Sequence, residues 1–379
     1  MSQNHEVFIP FARPTLDEEM IQAVADTLRS HWITTGPKVQ ALEHALSEFH
    51  GGRSVRLFNS ATSGLEVALL TLNIGPGDEV IIPGQTFFSC ANVITRVGAS
   101  PVFVDIDPTT RNLDLTLTEQ AISPRTKVIM PTHFAGLPLP MDNLYNLAQH
   151  HQIRVIEDAA LAIGSSWQGQ RIGSFGDIVS FSFHPNKNIT TIEGGALVFS
   201  NPEEAKRAEY FRFHGIQKCA DGTRDVIVPG GKYNLPDVNA QLGLLQLARL
   251  TEFNATRQKL VKIYFQELSD FSLCELPHLG HEGHSWNFFA PLLKLEQLTA
   301  SRHTIMQELH HQGIGTGISY EATHLTQYYR HLGYKPGDLP VSEKVSAQTL
   351  TLPLYPTLTE DQLHRVCHTF KKTLINYAR

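Results

Sequence analysis

The stretch from Val155 to Ser200 constrains the fold more tightly than any other part of the chain. It runs V-I-E-D-A-A, then, after a glycine-punctuated turn, I-V-S-F-S-F-H-P-N-K-N, then E-G-G-A-L-V-F-S. Ile153 to Ile156 is short and mostly apolar and ends in Glu157 and Asp158. That is the pattern of a buried parallel strand presenting a carboxylate at its carboxyl end. Ile178 to Phe183 reads as a second such strand, and Lys187 follows it directly on a loop. Further buried strands are expected at Asp78–Pro83, Pro101–Ile106 and Lys127–Pro131, with helical stretches between them. Strands and helices that alternate in this way build an α/β fold around a mostly parallel, doubly wound sheet.

A lysine and an aspartate at the carboxyl edge of one sheet are what pyridoxal phosphate requires: an amine for a Schiff base and an anion for the pyridine nitrogen. The ring withdraws electrons while its nitrogen is protonated, and a buried carboxylate such as Asp158 favours that charged form. The amine of Lys187 has an ordinary pKa of about 10.4. It must become a neutral nucleophile, which desolvation and a nearby cation accomplish.

Composition narrows the remaining classes. The chain has 379 residues, 41% hydrophobic and 18% charged, enough for one large and one smaller domain. A net charge of -6 without a basic tract leaves no footprint for nucleic acid. No run approaches the roughly 18 apolar residues of a membrane span, and the opening M-S-Q-N-H-E lacks the regions of a signal peptide, so a cytoplasmic location is expected. Cys90, Cys219, Cys274 and Cys367 read as reduced thiols. The 19 histidines contain no H-E-x-x-H or comparable ligand set, so no metal is expected, and most are read as surface residues.

Several motifs carry two readings each. Asn59-Ser-Ala-Thr-Ser-Gly64 opens a helix with Leu65, Leu69 and Leu72 on one face; Thr62 and Ser63 are either ligands of an anion or a plain N-cap. Phe87, just past a strand end, stacks on a planar ring or belongs to the core. A helix through Met20, Val24 and Leu28 leads into the loop Trp32–Pro37, a connector by its residues. Ser182 is an alternating strand residue, His184 and Asn188 shape the lysine's loop, Asn234 is a turn residue, and Tyr320 and His324 belong to a polar loop. His133 has no specific reading. From about residue 251 the texture changes, with a long amphipathic helix through Val261, Phe265 and Leu268 and a closing helix through Leu363, Phe370 and Leu374.

The motifs E-D-A-A, F-S-F-H-x-x-K-N and E-G-G, in this order and spacing, resemble the nucleotide-sugar aminotransferases of the DegT/DnrJ/EryC1/StrS family. The likeness covers essentially the whole chain. Through His31–Pro37, Gly231–Asp237 and Gly313–Gly317 it is closest to the UDP-4-amino-4-deoxy-L-arabinose aminotransferases of lipid A modification. It implies a fold-type I pyridoxal phosphate enzyme with a mostly parallel seven-stranded sheet, a large cofactor-binding domain over residues 1–250 and a smaller C-terminal α+β domain over 251–379.

The same resemblance implies Lys187 and Asp158 as catalytic pair, Phe87 stacked on the cofactor ring, and Thr62, Ser63 and Ser182 on its phosphate. Asn234 would reach the phosphate of a neighbouring subunit, making a homodimer with shared sites. Trp32, Thr35, His184, Tyr320 and His324 would face the nucleotide sugar, with L-glutamate and 2-oxoglutarate as donor pair. The implied reaction is transfer of an amino group to a 4-keto nucleotide sugar, a UDP-4-keto-pentose or alternatively a UDP- or dTDP-4-keto-6-deoxyhexose. A non-catalytic protein on the same fold is a rival, since fold alone does not prove activity. The related sugar 3-dehydratases carry histidine in place of the lysine, and Lys187 argues against them. At Leu161 the chain departs from relatives that have glutamine or histidine near the cofactor's ring hydroxyl, so that hydrogen bond is missing or comes from elsewhere.

Overall fold

The computed structural model describes residues 7–379; the opening residues used in reading the N-terminus lie outside the described residues. Seven strands form one sheet: β1 (Ser54–Phe58), β2 (Glu79–Pro83), β3 (Ser100–Val104), β4 (Thr126–Ile129), β5 (Arg154–Asp158), β6 (Ile178–Ser182) and β7 (Gly195–Phe199). Their order is β1-β7-β6-β5-β4-β2-β3. β7 is antiparallel to both of its neighbours, and the other strands run one way. Every residue of β2, β6 and β7 is buried. A sheet covered on both faces reads as continuous apolar runs, which is why these strands were visible in the sequence.

Successive side chains of a strand point to opposite faces, and the core divides accordingly. Ile81, Ile129, Val155, Val179 and Phe181 pack in one hydrophobic cluster; Val80, Ile82, Val128, Ile156 and Ile178 pack in another. A third cluster gathers Leu260, Val261, Leu268, Phe289, Leu363, Phe370 and Leu374 with Ile9. It is built largely by the helices Leu250–Leu268 and Glu360–Asn376. One expectation needs correction. The helix Glu18–Arg29 buries Met20 but leaves Leu28 exposed, because it lies on the surface and needs only a narrow apolar stripe. Of the described histidines, His50, His133, His284 and His324 are buried and the rest are at least partly exposed, in keeping with the expectation that most lie at the surface. All four cysteines are free.

β3 and β4 lie on opposite sides of β2, so the strand order reverses there and opens a crevice at the carboxyl ends of the parallel strands. Around it, two helices are capped from afar. The helix Pro37–Phe49 starts at Gly36, which has no side chain to cap it. The buried carboxylate of Asp237 accepts instead from the N–H groups of Gly36 (2.8 Å), Lys38 (3.1 Å) and Val39 (2.9 Å). Asp105, at the end of β3, likewise accepts from Val341 N (2.8 Å), Ser342 N (2.7 Å) and Ser342 Oγ (2.6 Å) at the start of the helix Pro340–Gln348. A carboxylate at a helix N-terminus meets free N–H groups and the positive end of the helix dipole. Truncating Asp237 leaves three N–H donors unpaired, that of Val39 buried and those of Gly36 and Lys38 partly so, so Asp237→Ala should lower unfolding free energy by about 2 kcal/mol in urea titrations, with Asp237→Asn losing less.

Candidate active site

The crevice holds a cavity of about 270 Å³ whose walls include Ser60, Thr62, Phe87, Thr132, Asp158, Leu161, Ser182, His184, Lys187, Gly194 and Tyr320. Most of these groups close or follow β1, β2, β4, β5 or β6 or precede β7, so one sheet edge assembles them, and the C-terminal segment adds Tyr320. Asp158 closes β5 and is buried. Its Oδ2 accepts from the Cys90 thiol at 3.1 Å and the Thr132 hydroxyl at 3.5 Å, and its Oδ1 accepts from Ala160 N at 3.1 Å. Burial, and next the neighbouring carboxylate, push the Cys90 thiol well above its usual range. It therefore stays protonated and keeps donating.

Lys187 is half-buried. Burial lowers its pKa to about 8 against the opposing pull of Asp158 and Cys90. Relative to an ordinary amine at 10.5, that raises the neutral fraction at pH 7 roughly 300-fold. The phenol of Tyr320 is raised, by burial first and Asp158 second, so it remains a neutral donor.

At the opposite end the helix Ala61–Thr71 begins. Ser60 caps it by accepting from Ser63 N at 3.1 Å. The N–H groups of Ala61 and Thr62 have no intrahelical acceptor, as at any helix start. The E-G-G motif explains how this helix start reaches the cavity. A Cβ on Gly195 would lie 2.4 Å from Ala61 N and 2.6 Å from Ser60 C, both backbone atoms. Glycine in β7 lets the helix start sit directly on the strand.

The sequence-selected residues divide in this structure. Thr62, Phe87, Asp158, Ser182, His184, Lys187 and Tyr320 line the cavity. Phe87 is exposed rather than core, its ring 5.9 Å from that of Tyr320. Ser63 is not brought in: its buried hydroxyl donates to Asn59 Oδ1 at 2.6 Å, and Ser60 takes its place at the wall. Trp32 is exposed beside Gly36, with its Nε1 3.4 Å from Thr35 O. Thr35 donates to Leu235 O at 2.7 Å and accepts from Asn234 Nδ2 at 2.5 Å. Asn234 also pairs with Lys232. None of these three lines the cavity of its own chain. His324 is buried elsewhere, bonded to Glu343 at 3.2 Å among Phe103 and Tyr334.

Three groups were not selected from sequence. Cys90 and Thr132 gave no signal, since a thiol on a helix and a threonine after a strand are ordinary core residues. Glu157 was quoted only as the neighbour of Asp158. It points to the other face, accepting from Tyr145 at 2.5 Å and pairing with buried His133 at 2.8 Å. His133 N in turn donates to Asp158 O at 3.1 Å, so the strand end carrying Asp158 is braced from behind. Leu161 packs with Phe134, Phe288 and Tyr320, giving this wall an apolar surface where an amide was expected.

Residues 14–371 match the DegT/DnrJ/EryC1/StrS aminotransferase family. The chain belongs to this family. It is a transaminase dependent on pyridoxal phosphate. An uncharacterized protein of Methanocaldococcus jannaschii, MJ1066, is 39% identical over 377 residues, covering 97% of this chain and 98% of its own length. The candidate sugar aminotransferase Spr1654 of Streptococcus pneumoniae in its PMP form superposes with TM-score 0.91 at 35% identity, covering 97% of this chain and 98% of that one. Helicobacter pylori PseC, an aminotransferase involved in the biosynthesis of pseudoaminic acid, superposes with TM-score 0.92 at 28% identity, covering 98% and 100%.

The donor set fits the family's cofactor: a buried carboxylate, an amine of lowered pKa, an exposed aromatic ring, and hydroxyl and N–H groups at a helix start. Because Gly195 admits that helix start, Gly195→Ala should weaken pyridoxal phosphate binding at least about tenfold, a loss of about 1.4 kcal/mol in affinity, as read by equilibrium dialysis. In the apoprotein, acylation of Lys187 should titrate near pH 8. The folded chain then binds fewer protons than the unfolded chain between about 8 and 10.5, so this group's penalty fades and stability rises with pH across that window. Calorimetry of wild type and Lys187→Met checks the sign, since the variant should lose that rise.

Proposed function

We propose that this transaminase transfers the amino group of L-glutamate to a 4-keto nucleotide sugar in the cytoplasm, with a UDP-4-keto-pentose as acceptor and UDP-4-amino-4-deoxy-L-arabinose, the sugar of lipid A modification, as product. The observation that carries the reading is the convergence of Lys187 and Asp158 on one cavity whose other end is a helix start with free N–H groups. When bound, pyridoxal phosphate supplies an electrophilic carbonyl and a ring that withdraws electrons.

Asp158, oriented by Cys90, Thr132 and Ala160, would hold a proton on the cofactor's ring nitrogen. Phe87, exposed on the cavity wall, would cover one face of that ring. Thr62, Ser182 and the N–H groups of Ala61 and Thr62 would hold the cofactor's phosphate, where the helix dipole favours an anion. Lys187 Nζ acts first as nucleophile. When free, it would be the base that takes a proton from the amine-bearing carbon of the donor and the acid that returns it to the cofactor's carbonyl-derived carbon, on the far side of the shared nitrogen. Tyr320, backed by the rings of Phe134 and Phe288, gives the cavity an apolar wall on this side. His184 and Tyr320 line the side open to the sugar nucleotide.

Trp32, Thr35 and Asn234 act across a homodimer in this reading. They are knit together outside their own chain's cavity, beside exposed Ile33 and near Phe213, which is itself exposed and covered by Lys232. Exposed apolar side chains beside a site that lacks these residues support a partner subunit as their cover.

Purified protein treated with pyridoxal phosphate and borohydride should carry the cofactor on Lys187 by peptide mass spectrometry. Lys187→Ala should lose turnover by at least about a thousandfold. Offered 4-keto sugars with glutamate, the enzyme should aminate the UDP-pentose fastest. Faster amination of a 6-deoxyhexose would replace the pentose assignment, and glutamate-independent cofactor binding without amination of any sugar would remove the functional reading.

A further inference from the structure

Three buried asparagines grip the loop that carries Lys187. Asn188, the next residue, is only 3% exposed. Its amide donates to Asn254 Oδ1 at 2.7 Å and to Ser285 O at 3.0 Å, and its oxygen accepts from Asn287 Nδ2 at 2.7 Å. Asn287 Nδ2 also reaches Asn186 O at 3.3 Å, on the other side of the lysine, and Asn254 Nδ2 donates to Ile163 O at 3.1 Å. Ser285 O, Asn186 O and Ile163 O are peptide carbonyls and can only accept. Each of the three amides therefore has one orientation that satisfies the set. None of the three side chains lines the cavity.

We infer that Asn188, clamped by Asn254 and Asn287, is a positioning residue that holds the Lys187 amine in the cavity opposite Asp158. The inference rests on Lys187 as the reactive amine. A loop fastened on both flanks of a lysine leaves that side chain few alternatives, and an amine held among protein atoms loses hydration. Asn287 adjoins Phe288, whose ring stands edge-on to Tyr320 at 6.1 Å. The wall facing substrate and the clamp on the lysine are thus consecutive residues of one segment.

The test is pH-dependent acylation of Lys187 in the apoprotein, read by peptide mass spectrometry, for wild type, Asn188→Ala, Asn287→Ala and the double variant, with melting temperatures in parallel. Loosening the loop hydrates the amine. The labelling midpoint should rise by about one pH unit, so labelling at pH 7 should fall about tenfold, in both single variants. The double variant should fall no further than Asn188→Ala alone, because the two act through one contact set. Midpoints unchanged from wild type, with melting temperatures lowered, would make the asparagines structural only and overturn the inference. If Asn188→Ala does not fold, Asn287→Ala decides, since it leaves Asn188 its two acceptors. A wild-type protein that fails to attach pyridoxal phosphate to Lys187 would fail the functional reading separately, because acylation of the apoprotein involves no cofactor.

Discussion

A carboxylate buried at the end of a central strand has to be compensated, and the surroundings of Asp158 show how the chain meets that demand. Burying an unpaired charge costs several kcal/mol or more. Here the carboxylate is spread over donors from three parts of the chain: the Cys90 thiol from the helix after β2, Thr132 from beyond β4, and the N–H of Ala160 from its own loop. These donors supply hydrogen bonds but no full positive charge. The one cation facing the same cavity, among the residues that line it, is Lys187, whose own charge is disfavoured by burial. The apoprotein thus holds an anion without a strong counterion and an amine that gives up its proton readily. A cationic heterocycle with an aldehyde matches both.

The cavity is assembled from sheet topology and glycine rather than from a dedicated binding domain. The reversal of strand order at β2 opens the crevice, and the strands on either side deliver Phe87, Thr132, Asp158, Ser182 and Lys187 to its floor. The opposite end depends on contact between β7 and the start of the helix Ala61–Thr71, which a side chain on residue 195 would prevent. The segment after residue 251 contributes Tyr320 to the cavity wall and, through Asn254, Ser285 and Asn287, fixes the lysine's loop.

How much of this was legible in the sequence follows from how local each signal is. Strands buried on both faces are continuous apolar runs, so β2 to β6 were visible within a residue or two of their ends. Lys187 and Asp158 were legible because each directly follows or closes such a run. Asp237 was quoted only within a motif and Asp105 only within a strand, because capping a helix about two hundred residues away leaves no local trace. Ser63 illustrates the converse. Its neighbour Thr62 has the same kind of hydroxyl, but one helical step turns Ser63 inward onto Asn59 while Thr62 faces the cavity. His324 was chosen as a polar loop residue, yet its ring is buried against Glu343. A contact between side chains distant in sequence decided that placement.

The most direct test of the central claim is a crystal structure of the protein reconstituted with pyridoxal phosphate. The account predicts continuous density from Lys187 Nζ into the cofactor, with the ring nitrogen about 2.7–2.9 Å from a carboxylate oxygen of Asp158, the distance of a charge-assisted hydrogen bond. A cofactor bound elsewhere, or one seated in the cavity with its ring nitrogen turned away from Asp158, would contradict it.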